Sequence, residues 1–146
     1  MKNILFIFVF LISSLSYGAE WRYATSSTNG DDYYVDRSFF KYDSKNQTMD
    51  IWDKSERKKM LSDEVFTVSK SLTRYSCSNK SIKTLAIVEY NQDGTVKNSS
   101  TTPSKNFSLI FPETVSETLW HIACDNKGKG LKFREYKPEY VAPSSY

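Results

Sequence analysis

Apolar and polar residues alternate along most of this chain in short runs separated by turn-forming residues. Trp21, Tyr23 and Thr25 alternate with Arg22, Ala24 and Ser26, a period of two that predicts a strand with one buried face. Asn29-Gly30-Asp31-Asp32 carries turn chemistry, and Tyr33-Tyr34-Val35-Asp36 reads as a second, short strand. A further turn at Asp43-Ser44-Lys45-Asn46 precedes a strand over Thr48 to Trp52, with Met49 and Ile51 facing away from Trp52. The charged stretch Asp53 to Ser62 reads as a loop or short exposed helix. In Val65 to Cys77, Phe66 and Val68 share one parity and Thr73, Tyr75 and Cys77 the other, which predicts a bulge or break near Lys70. Ser81 to Tyr90 is the strongest strand. Its centre, Leu85-Ala86-Ile87-Val88, predicts an interior strand covered on both faces. Asp93-Gly94 is a hairpin turn, with Thr95-Val96-Lys97 returning and Ser99 to Lys105 forming a loop.

After Thr114 the period changes. Thr114-Val115-Ser116-Glu117 matches a capping box, with Thr at N-cap and Glu at N3. Val115, Leu119, Ile122 and Ala123 then recur at helical spacing and make one apolar stripe that Cys124 closes. Leu131 to Tyr136 suggests an edge strand, and Ala142 to Tyr146 a disordered end. These parts predict an α+β fold: an antiparallel sheet of about six strands with a C-terminal helix on one face. The domain spans 19–126 and is followed by a partly disordered tail over 127–146.

The first 18 residues have a different pattern. Lys2 precedes the unbroken apolar run Ile4 to Ile12, and Ser16 and Gly18 stand at −3 and −1 to a cleavage before Ala19. Charge, a short apolar core and small residues define a secretory signal peptide. Nine apolar residues are too few to cross a bilayer, which takes about 20. No cysteine lies near the cleavage site to carry a lipid, so the expected mature form has no membrane anchor. Export places the protein in the periplasm, at the cell surface or in the medium. Such compartments are oxidising, so Cys77 and Cys124, the two cysteines of the chain, are expected to pair. The bond would tie helix to sheet and contribute about 4 kcal/mol on chain-entropy arithmetic.

Net charge is +3. That gives no support for a nucleic-acid partner, which calls for a strong basic excess. One basic cluster stands out, Lys54, Arg57, Lys58 and Lys59 beside Glu56; it reads as a solvated loop, or else as an anion or glycan contact. Catalytic inventory is poor. His121 is the one histidine, placed on the predicted helix, and paired cysteines leave it no thiol to activate. Glu117 and His121 alone do not make a metal site, and Asp31-Asp32 and Asp63-Glu64 lack the spacing of a calcium cage. Asp36 reads as a turn-fixing side chain, and Trp21, Trp52 and Trp120 as core or core-edge residues. The residues therefore point to no enzyme, cofactor or metal.

The ordered segments resemble the surface-adhesin protein E family of Gram-negative bacteria. The carriers are Trp21, Tyr33-Tyr34-Val35-Asp36, Met49-Asp50-Ile51-Trp52, Ser71 to Cys77, Asp93-Gly94-Thr95-Val96, and Phe111-Pro112 through Thr114 and Glu117 to Cys124. The resemblance implies an antiparallel sheet with a C-terminal helix held by a disulfide. It also implies an adhesin that binds host extracellular-matrix or serum proteins and can form a homodimer. A sheet face or edge bearing Tyr33, Tyr34, Arg57, Lys58 and Lys59 is the candidate contact. Two alternatives stand beside this one: a periplasmic envelope protein that holds another bacterial protein by β-edge addition, and a small-ligand carrier, which would need a deep apolar pocket.

Overall fold

A computed structural model describes residues 18–57 and 67–125. Residues 1–17 of the expected signal peptide, the tail, Lys58, Lys59, Asp63-Glu64 and the suggested 131–136 strand lie outside the described residues. Seven strands and one helix follow in order: β1 (Trp21–Ser26), β2 (Asp31–Asp43), β3 (Thr48–Arg57), β4 (Val68–Ser76), β5 (Ser81–Tyr90), β6 (Val96–Ser100), β7 (Ser108–Leu109) and α1 (Val115–Cys124). All pairings are antiparallel, and the order across the sheet is β1-β2-β3-β4-β5-β6, with β7 also on β5.

Turns form where their residues favour them. Asp43 Oδ1 accepts the N–H groups of Lys45 (3.0 Å) and Asn46 (3.2 Å), closing the β2–β3 hairpin. Gly94 has φ +83°, a left-handed conformation that glycine adopts without a Cβ clash, and it turns β5 into β6. Asp36 works as read from the sequence. Its Oδ1 accepts from the Ser38 N–H (2.8 Å), the Ser38 hydroxyl (2.6 Å) and the Glu20 N–H (2.9 Å). This staples an irregularity in which Asp36 to Phe39 face a single residue, Trp52, of β3.

Helix α1 starts as predicted. The Glu117 N–H donates to Thr114 Oγ1 at 3.3 Å. The Glu117 carboxylate reaches back to the N–H of Glu113 (2.6 Å), one residue earlier than a standard capping box. Three ties then hold the helix at the β4–β5 corner: the Cys77–Cys124 disulfide, the Trp120 indole N–H donating to the Ser76 carbonyl (2.9 Å), and an ion pair between Lys80 and Glu117. Leu119, Ala123 and Cys124 pack with Val35, Met49, Ile51, Tyr75 and Ile110 into one core. Each large apolar side chain buried there contributes roughly 1.5–3 kcal/mol.

Four expectations need correction. Residues 53–57 belong to β3, not to a loop or helix. The second strand runs to Asp43 rather than ending near Asp36. Pairing of β3 with β4 is regular through Lys70; the irregularity lies instead between β4 and β5, where Leu72 opposes Ala86 and Thr73 opposes Thr84, leaving Leu85 unmatched. The apparent parity switch in β4 has a simple cause. Val68 and Leu72 lie on the open face, whereas Tyr75 faces the helix. Finally, Leu85 to Val88 are interior within the sheet but only half-buried, because α1 packs mainly over β1 to β4 and, of β5, Ile82 rather than this run packs against the core. On β1, Trp21 and Tyr23 lie on the open face, and Ala24 supplies the core contact.

Candidate functional site

Among the described residues, no group of three or more His, Cys, Asp or Glu side chains is placed to hold a metal ion. His121 is exposed on α1, edge-on to Trp120 with ring centroids 5.0 Å apart and 3.2 Å from the Asp125 carboxylate. Asp31 faces Arg57 across the β2–β3 pair at 3.6 Å. What the fold does present is surfaces, and three of them differ in chemistry.

The first is a groove of about 330 Å³ at the far end of the helix-facing side, lined by Tyr33, Arg57, Asp31, Ser55, Ser69 and Lys97 among others. It brings together two of the sequence candidates, Tyr33 and Arg57. Burial raises the Tyr33 phenol above its ordinary pKa, with Asp31 and Asp53 adding to the effect and Arg57 opposing it. Beside it stands Asp53, whose carboxyl burial pushes up to about 7 although the Thr73 hydroxyl donates to it at 2.5 Å.

The second surface is the open face of the sheet. Tyr34, the neighbour of Tyr33, points there, so the strand's alternation sends these two candidates to opposite sides. Lys54 Nζ sits 4.3 Å from the Tyr34 ring centroid and 5.3 Å from that of Trp21. Lys70 Nζ sits 4.9 Å from Tyr90 and 5.9 Å from Trp21. Arg74 forks onto Asp50 through two bonds of 2.6 and 2.7 Å. Trp21 and Trp52 are half-buried on this face, while Trp120 packs against the core from the helix.

The third surface is the β6–β7 margin. Phe107, Leu109 and Phe111 are 39%, 72% and 72% exposed, and Val96 is 58% exposed. Leu109 opposes Ser81 on the open-face side, and Ile110, between Leu109 and Phe111, turns inward to the core. This apolar row was available in the sequence as the alternation Phe107-x-Leu109-x-Phe111. The Lys54–Lys70 juxtaposition was not, because it depends on the β3–β4 register.

A family model described as surface-adhesin protein E matches residues 21–125, most of the chain. The chain belongs to the surface-adhesin protein E family. No curated protein and no solved structure gives a significant match. The family match covers all seven strands and the helix, and both disulfide cysteines fall within it. The antiparallel sheet, the C-terminal helix and the Cys77–Cys124 bond are the parts implied by the resemblance. The family's description is that of adhesin-type surface proteins. Among the described residues of this member, no helix is long and apolar enough to cross a membrane.

Proposed function

We propose that this protein is a non-catalytic exported binding domain that holds a protein partner along the β6–β7 margin, and that its partners are host extracellular-matrix or serum proteins. In this reading residues 1–18 direct export and are removed, and the mature form carries no membrane anchor. The supporting observation is the row Phe107, Leu109 and Phe111 at the edge of the sheet. Among the described residues β7 pairs with β5 alone, and in this reading its outer backbone groups take up the partner. An added strand would take main-chain hydrogen bonds from that edge, and alternate side chains would supply selectivity. Burying Leu109 and Phe111 would add roughly 1.5–3 kcal/mol each. Tyr33 and Arg57 contribute a separate polar contact on the helix-facing side; Lys58 and Lys59, the other candidates for that contact, lie outside the described residues.

The test uses the protein immobilised against a panel of extracellular-matrix and serum proteins, with Leu109→Lys and Phe111→Lys variants and protease shaving of intact cells. Binding that either variant weakens at least tenfold, with the protein accessible on the cell, is the expected result. Protection until the outer membrane is permeabilised would refute the adhesin reading. The same free edge favours a second reading, in which the margin holds another bacterial envelope protein. If a second copy occupies the margin, a homodimer forms that Leu109→Lys dissociates in sedimentation.

A further inference from the structure

The open face carries a feature that edge pairing does not use. Lys54 and Lys70 oppose each other directly across β3 and β4. Directly opposed side chains have Cβ atoms about 5 Å apart, and like charges so placed are destabilising. Three aromatic rings offset this. Tyr34 lies under Lys54, Tyr90 under Lys70, and Trp21 is within 6 Å of both. Carboxylates do not balance the pair. Glu56 takes Lys54 at 2.6 Å, but among the described residues Lys70 has no carboxylate partner. Asp50 is committed to Arg74, and Asp32, in the next row, is buried and accepts the Ser26 hydroxyl. Lys83 further along the same face lies over the Phe107 ring at 5.0 Å, again with no carboxylate among the described residues.

We infer that this face is a docking surface for an anionic polysaccharide. Charge complementarity identifies the occupant. Lys70, which has no carboxylate partner among the described residues, and Lys83 further along carry the uncompensated positive charge of this face, whereas the Lys54 side chain is 14% exposed and paired with Glu56. Trp21, Tyr34 and Tyr90 lie under the ammonium groups, and their remaining ring surface is what sugar rings would pack against. A chain of sulfated or uronate sugars supplies both partners at once, anionic groups for the lysines and ring faces for the aromatics. The Lys54–Lys70 pair lies three side-chain rows from Leu109, while Lys83, over Phe107, adjoins the protein-binding margin.

The experiment titrates the purified protein with heparin as the anionic probe and dextran as the neutral one, following tryptophan fluorescence at low and high salt. Heparin binding that weakens with salt, with no response to dextran, is expected. Lys70→Gln keeps most of the side-chain stem and should weaken heparin binding about fivefold, whereas Lys70→Arg should restore it. Lys105→Gln, an exposed lysine in the β6–β7 connection, serves as the control for general basicity and should change nothing. The inference is overturned if heparin does not bind. It is equally overturned if Lys70→Gln and Lys105→Gln weaken binding alike, or if polyglutamate binds as tightly as heparin.

Discussion

Asp53 offers the sharpest test of how this domain is held together. It lies on the helix-facing side of β3, opposite Val35 on one neighbouring strand and Ser71 on the other. Burial raises its pKa to about 7, while the Thr73 hydroxyl bond acts in the opposite direction. In an unfolded chain an aspartate titrates near about 3.9. The native state therefore holds this proton more tightly than the unfolded state. The stability it lends is complete below about pH 4, declines as pH rises, and is gone once pH passes about 7. At about 1.36 kcal/mol per unit, the ceiling is roughly 4 kcal/mol. Asp53 is not wholly shielded from solvent, so water relieves part of the penalty, and about 2 kcal/mol is expected. Asp53→Asn keeps the shape and an acceptor for Thr73 but carries no charge at any pH. Urea unfolding followed by tryptophan fluorescence should find the variant about 2 kcal/mol more stable than the parent at pH 8. At pH 4 the two should be nearly equal. In thermal melts the pH 8 gap corresponds to about 8 °C or more for a domain of this size. A gap that stays constant between pH 4 and pH 8, or a variant that is less stable at pH 8, would refute the reasoning.

Other perturbations test the remaining ties. Replacing both Cys77 and Cys124 by Ser should cost about 4 kcal/mol, read as a lower melting temperature that reductant no longer changes. Arg74→Met strands the nearly buried Asp50 carboxylate; because Arg74 is itself partly exposed, we expect a loss of about 2 kcal/mol in urea unfolding. Thr114→Ala removes the helix cap and should cost about 1 kcal/mol by the same assay.

The helix, its cap and the hairpin turns were legible in the sequence because their chemistry is local. Thr114 and Glu117 are three residues apart, and Asp43 bonds within its own turn. The second half of β3 was hidden for the opposite reason. Asp53 and Ser55 point to the helix side and Lys54 and Glu56 to the open face, so polar residues occupy both sides and no period of two appears. Continuity there comes from cross-strand pairing with Tyr33 and Tyr34 on one flank and Lys70 and Ser69 on the other. Leu85 to Val88 misled because an apolar run signals burial only when something covers it, and on β5 the core packs against Ile82 rather than against this run. Of the binding candidates, Tyr33 and Arg57 meet in one groove, but their separation from Tyr34 follows from strand alternation. The Lys54–Lys70 pair, 16 positions apart, needed the register itself.

Strand order along the chain equals strand order across the sheet, apart from β7's place on β5. A chain appearing from its N-terminus can therefore add each strand to the one before it, without waiting for a distant segment to arrive. Cys77 is in place early in this sequence of events, but its partner is the last residue of the last element among the described residues. Any chain that stops short of Cys124 is left with a sheet bearing one unpaired thiol. Closure of that thiol is thus a completion mark, and a thiol-reactive label would separate unfinished molecules from finished ones.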